Sequence, residues 1–201
     1  MRSFAIIPAA GRSQRMGQPK LLLPWEQWTV IEQVLAAWKD SRVSAVVVTV
    51  HPGDDELIAR CRAAGVDVAV VDPPPADMKA SVAAGLAYAA ANYHPLPSDV
   101  WLLAPADMPR LSARLIDQVL GAHDPADPRV LVPRAGDYRG HPVLFPWPLA
   151  SEVDGLAEDA GINALVAAAG PREIDCDDVA AFADLDTPDD YERSKGGGRE
   201  S

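Results

Sequence analysis

From Val43 to Val50 the chain is almost continuous in valine, with no alternation of polar positions. Such a run suits a strand buried on both faces, as in a sheet covered on each side by helices. Similar runs recur: Phe4 to Pro8, Val66 to Val71 and Val100 to Ala104. Helical patterns separate them. Val30, Ile31, Val34, Leu35 and Trp38 mark one face of a helix from about Thr29 to Lys39. Asp54 or Asp55 can cap a helix closed by Gly65, and Ser81 opens an Ala-rich helix to about Tyr93. Gly85 inside that helix costs about 1 kcal/mol relative to alanine, which points to close packing there. Ser112 caps a helix with Leu115, Ile116, Val119 and Leu120 inward. Residues 129–133 and 142–145 read as a hairpin, a helix is expected from about Asp159 to Ala169, and Thr187-Pro188-Asp189-Asp190 is a strong helix start. Alternating strands and helices predict an α/β fold: a single-domain, Rossmann-like three-layer sandwich with a mostly parallel sheet. Ligands of such sheets bind beyond the carboxyl ends of the strands. The domain is expected over residues 1–193, with a disordered tail over 194–201.

The chain has 201 residues, enough for one domain with a real core. Its formal net charge is −11, and between Ser151 and Arg193 the only basic residues are Arg172 and Arg193. That surface repels a polyanion, so no nucleic-acid partner is expected. No apolar run is long enough to span a membrane, and the first apolar stretch is too short for a signal peptide, so a cytoplasmic location is expected. Cys61 and Cys176 show no metal-ligand spacing and read as reduced structural thiols.

Pro8-Ala9-Ala10-Gly11-Arg12-Ser13-Gln14-Arg15-Met16-Gly17-Gln18-Pro19-Lys20 directly follows the first strand. Small residues let backbone N–H groups approach phosphates, and Arg15 and Lys20 could neutralise a triphosphate. The glycine spacing matches neither a P-loop nor a dinucleotide fingerprint, and an ordinary strand-to-helix loop remains open. Asp107, in Ala104-Pro105-Ala106-Asp107-Met108-Pro109, stands just past a strand's carboxyl end. It reads equally as a metal carboxylate or as a turn cap before Pro109.

The segment Ala9 to Lys20 resembles the opening Ala-Ala-Gly-x-Ser-x-Arg-Met-Gly-x-x-Lys of the MobA-like NTP transferases, a family that includes molybdenum-cofactor cytidylyl- and guanylyltransferases. The resemblance runs from about Phe4 to Tyr191. It implies nucleotide binding by Ala9, Ala10, Gly11, Arg12, Ser13, Arg15, Lys20, Ser81 and Asp107, with Arg15, Lys20 and Asp107 catalytic. It makes Asp107 and Asp186 Mg²⁺ ligands, Asp186 lying in a segment similar to the family's Asp-x-Asp-Thr-Pro-x-Asp. Asp186 could instead merely favour the helix start. Ser81 could be a plain helix cap, and His141 a structural histidine. Arg139-Gly140-His141-Pro142-Val143 resembles the family's acceptor segment, giving Gly140, His141 and Asn163 as acceptor-binding residues. The chain departs from the pattern at Asp77 and Ala106, where the family has glycine, and at Asn163, where it has arginine. Losing that arginine removes a bidentate anion contact and puts the acceptor in doubt.

Together these imply an Mg²⁺-dependent nucleotidyltransferase moving NMP, with Ala10 favouring CMP from CTP, onto a phosphorylated small acceptor such as molybdopterin cofactor. Two alternatives stay open: cytidylyl or uridylyl transfer to a sugar or polyol phosphate, and a catalytically silent nucleotide-binding domain. A molybdoenzyme or chaperone partner is also left open.

Overall fold

The computed structural model describes residues 1–11 and 17–196. One mixed, mostly parallel sheet forms the middle layer. Its strands are β1 (Ser3–Pro8), β4 (Ala45–Val50), β5 (Asp67–Val70), β6 (Val100–Leu103), β7 (Leu131–Ala135), β8 (Tyr138–Arg139), β9 (Val143–Pro146) and β10 (Arg172–Asp175). Their order is β10-β7-β9-β6-β1-β4-β5, with β8 paired to β7. A separate two-stranded ribbon joins β2 (Pro24–Trp25) to β3 (Trp28–Thr29). The helices are α1 (Val30–Lys39), α2 (Asp55–Ala63), α3 (Met78–Tyr93), α4 (Ala113–Gly121), α5 (Ile162–Ala168) and α6 (Pro188–Gly196). None of the described helices is long and apolar enough to cross a membrane.

The strand period of two divides the core into two layers. Ala5 and Ile7 of β1 face one way, into a cluster with Ile31, Leu35 and Trp38 of α1, Leu57 of α2 and Ile116 of α4. Phe4 and Ile6 face the other, against Val82, Leu86 and Ala89 of α3 and Leu165 of α5. Each such buried side chain contributes about 1.5–3 kcal/mol. Gly85 is where α3 lies closest to the sheet: a Cβ there would stand 2.8 Å from Ile6 Cγ2 and 3.1 Å from Thr49 Cγ2. The glycine therefore seats α3 on β1 and β4. In the same core layer, the rings of Trp101 and Phe145 stack at 4.0 Å across the β6–β9 pair.

The β7 strand turns back tightly through Gly136, in the left-handed region at φ 59°, into the short exposed β8. The expected antiparallel pairing of 129–133 with 142–145 is present, as β7 with β9 through Leu131 and Leu144, but the short β8 is inserted between the two strands along the chain. Strand β9 runs between β6 and β7, antiparallel to both, with four residue pairs to β6 and one, Leu131 with Leu144, to β7. Its continuous apolar sequence suits that interior place. Helix α3 begins at Met78 rather than Ser81, because the Asp77 carboxylate caps it by accepting from Ala80 N–H at 2.8 Å. Helix α5 begins at Ile162, after a turn in which Ala160 N–H donates to the Ala157 carbonyl. Helix α6 starts as expected: Thr187 N–H and Oγ donate to the Asp190 carboxylate, and Asp190 N–H donates to Thr187 Oγ. It continues to Gly196, past the Arg193 boundary expected from sequence.

Candidate active site

The carboxyl ends of β1, β4 and β6 open onto a cavity of about 560 Å³. It is lined by Ala9, Ala10 and Gly11 after β1, His51 after β4, Asp77 and Ser81 at the start of α3, Asp107 after β6, and Lys20. Ala9 N–H donates to the Thr49 carbonyl at 2.9 Å, which pins the start of the loop to β4. A Cβ at Gly11 would meet no protein atom within 4 Å, so packing does not demand the glycine. It leaves backbone open toward the cavity. Ser81 is buried one turn into α3 and is not its cap.

Two distant segments converge on Asp107. Leu185 N–H donates to the Asp107 carbonyl at 3.0 Å and thereby brings Asp186 alongside. The Lys20 ammonium bridges the two acids, on Asp107 Oδ2 and 3.5 Å from Asp186 Oδ1. Asp107 is buried, and its second oxygen, Oδ1, has no hydrogen-bond partner among the described residues. A buried carboxylate oxygen without a donor is costly and calls for a cation or donor from a ligand. Among the described residues no group of three or more His, Cys, Asp or Glu could hold a metal ion. Two carboxylates with room for phosphate oxygens suit Mg²⁺, which keeps several waters and binds few protein ligands.

A second cavity, about 480 Å³, adjoins the first at Pro105, Asp77 and Met78. His141 and Asn163 line it. His141 Nδ1 lies 3.1 Å from the Leu103 carbonyl, which can only accept, so Nδ1 carries the proton. Burial lowers the His141 pKa, against the opposing pull of the Leu103 carbonyl and the Asp107 and Asp184 charges. Gly140 lines neither cavity. A Cβ on it would fall 2.1 Å from the Phe182 ring, so this glycine packs the segment rather than facing a ligand. Arg12, Ser13 and Arg15 lie outside the described residues.

Sequence reasoning passed over several lining residues. His51, directly after the Val43 to Val50 run, lines the first cavity at that strand's carboxyl end. Lys79, Glu158, Asp159 and Asp184 line the second cavity. The Lys79 ammonium donates to the carbonyls of Ala157 and Glu158, at 2.7 and 3.2 Å, clasping α3 to the loop before α5. Partial burial, with the nearby charges of Asp107 and Asp186, raises the Asp184 carboxyl above its ordinary range. The thiols are remote from this edge: Cys61 and Cys176 are free and buried, and burial pushes Cys61 up to about 12.

A lysine set between two convergent carboxylates thus lies at the carboxyl edge of this α/β sheet, beside a cavity walled in part by Ala9, Ala10 and Gly11. The chain belongs to the MobA-like NTP transferase family, whose domain model matches residues 5–174. It is 25% identical over 191 residues to the molybdenum cofactor cytidylyltransferase of Escherichia coli K12, covering 94% of each chain. It is 29% identical over 126 residues to a probable molybdenum cofactor guanylyltransferase of Bacillus cytotoxicus, covering 62% of this chain and 59% of that one. Among solved structures it resembles Rv0371c from Mycobacterium tuberculosis H37Rv, with TM-score 0.80, 28% identity and 98% of each chain covered. The same protein in complex with manganese matches with TM-score 0.78 and 27% identity, over 98% of this chain and 99% of that one.

Proposed function

We propose that this nucleotidyltransferase moves CMP from CTP onto the phosphate of molybdopterin cofactor and releases pyrophosphate, with Mg²⁺ held by Asp107 and Asp186. The observation that carries this reading is the triad of Lys20, Asp107 and Asp186, of which Lys20 and Asp107 line the first cavity. Asp107 has a buried oxygen there without a hydrogen-bond partner among the described residues. Bound Mg²⁺ would supply charge neutralisation at the α-phosphate. Residues Ala9 to Gly11 offer backbone to the nucleotide. Lys20, with Arg15, stabilises negative charge on the transferring and departing phosphates. The acceptor's phosphate oxygen attacks the α-phosphorus in line, and the bond to pyrophosphate breaks. That phosphate is already a nucleophile, so the neutral His141 positions the acceptor instead of acting as base. Catalysis rests on positioning and charge neutralisation.

CTP is supported by Ala10, since Ala-Ala-Gly openings go with CTP-using members of the family, and by the end-to-end match to a cytidylyltransferase. A second reading, transfer to a sugar or polyol phosphate, draws on Asn163 in place of the family arginine. The test is pyrophosphate release with each of the four NTPs and Mg²⁺ against molybdopterin cofactor and a panel of sugar and polyol phosphates. Release with CTP and molybdopterin cofactor alone is expected. Release with a sugar phosphate instead replaces the acceptor. Release with no pair, from folded protein that binds NTP equally well with EDTA, sinks the enzyme reading.

A further inference from the structure

The position of Lys20 has a consequence for the order in which ligands bind. Asp107 is 9% exposed, and Lys20 and Asp107 side chains are 17% and 12% exposed. A carboxylate so buried cannot be left without a cation nearby except at high cost. Here the cation is the Lys20 ammonium, which also reaches Asp186 at 3.5 Å. These are the two carboxylates read above as metal ligands, and the inference rests on that reading. An ammonium on both repels a divalent ion strongly at this range. With no third ligating group among the described residues, the protein alone offers the metal little to offset that repulsion. Lys20 sits on a short 3-10 turn, Lys20–Leu22, and its four-carbon stem lets the ammonium re-aim without moving backbone. A triphosphate in the adjoining cavity supplies the anion that draws it away.

We infer that Lys20 is a placeholder cation between Asp107 and Asp186 in the nucleotide-free protein, so that a divalent metal binds tightly only together with the nucleotide. The lysine and the metal exchange places: the ammonium moves from the carboxylates to the phosphates as the metal takes both acids. Asp107 then always faces a positive charge, and the site never holds lysine, metal and no phosphate at once. The same residue thus couples metal binding to nucleotide binding, in addition to stabilising the departing phosphates.

The test measures Mn²⁺ binding, not turnover. Free Mn²⁺ is followed by its electron paramagnetic resonance signal during titration of the full chain, with and without non-hydrolysable α,β-methylene-CTP. Lys20→Met is expected to bind Mn²⁺ alone at least about tenfold more tightly than the wild type, and Lys20→Arg, which keeps the charge, to stay at the wild-type value. The analogue should tighten Mn²⁺ about tenfold or more on the wild type and much less on Lys20→Met. Circular dichroism checks folding, and Lys20→Gln replaces Lys20→Met if the latter does not fold. Equal Mn²⁺ affinity of the charge-removing variant and the wild type overturns the inference, as does an equal rise in Lys20→Arg. If neither wild type nor variant binds Mn²⁺ even with the analogue, the assignment of Asp107 and Asp186 as metal ligands fails, and this inference with it.

Discussion

The two cavities share a wall but are built in different ways. The nucleotide side is lined largely by backbone and small residues, Ala9 to Gly11, Pro105 and Ala106, with its charge concentrated in Lys20, Asp77 and Asp107. The other cavity carries more charged and polar side chains, Lys79, Glu158, Asp159, Asn163 and Asp184 around His141, set among Leu103, Val143, Phe145, Ile162 and Val166. A surface of backbone N–H groups reads phosphates whatever the side chains are, so it changes little with sequence. A surface of side chains can be rewritten residue by residue. Under the proposed function, one half would then fix the chemistry and the other select the molecule that receives the nucleotide.

If that division holds, variants should sort by which half they disturb. The largest effect is expected at the junction. Asp107→Ala should lower turnover by about 10³-fold with either substrate saturating, while leaving the fold intact by circular dichroism. Full Mg²⁺-dependent activity in that variant would break the metal assignment. Gly140→Val should disturb the acceptor side alone, since its side chain collides with Phe182. A loss of about 1–3 kcal/mol in urea unfolding and a raised acceptor KM are expected, with CTP Kd unchanged by calorimetry. A weakened CTP Kd would show that the halves are not separable. Asn163→Arg sharpens the same comparison from the other direction. A restored charge-assisted contact should lower KM for a phosphorylated acceptor about tenfold and leave CTP affinity alone. An unchanged acceptor KM would mean that residue 163 does not meet the phosphate.

The smallest effect concerns pH. The folded-state pKa of His141 is lowered by burial, so the unfolded chain binds more protons in the interval below the ordinary histidine value of about 6.5. Stability carried by the neutral ring is complete above that value and declines as pH falls through it toward the folded-state pKa. His123 is lowered by burial in the same sense. The readout is thus the difference between proteins: His141→Gln should lose less melting temperature than the wild type between pH 7 and 5. Parallel curves would assign the decline to other groups.

The legibility of the sequence divides along the same line. Strands β1, β4 and β6 are uninterrupted apolar runs, and α1 shows its buried face in Val30, Ile31, Val34, Leu35 and Trp38. Both patterns follow from burial in a three-layer core. Asp107 stands out because an acid ends an apolar strand where ligands bind. Strand β10 was missed because Arg172-Glu173-Ile174-Asp175 alternates exposed with partly buried positions at the sheet's edge, without an apolar run. The ribbon of β2 and β3 is too short, at two residues each, to show a period. Asp77 looked like a departure from a glycine, whereas its carboxylate caps α3. Asp184 carries no signal of its own in the sequence, and it lines a cavity beside the junction of residues 183–186 with Asp107. Motifs that act through local backbone geometry can be read in order along the chain. A cavity walled by five separate segments cannot, because no one of them carries its pattern alone.

Strand β9, the reversed member between β6 and β7, gives the acceptor side one further property. Because it runs against its neighbours, its first residues lie at the same edge as the last residues of β6 and β7. The whole stretch from Ala135 to Pro142, including β8, is therefore a loop hung from the working edge and anchored at both ends in the ladder. Its length and sequence can vary across generations with no register shift in the sheet behind it. Under the proposed function, this stretch would be an exchangeable mouthpiece, in which new acceptors could be tried while the phosphate-handling residues stay as they are.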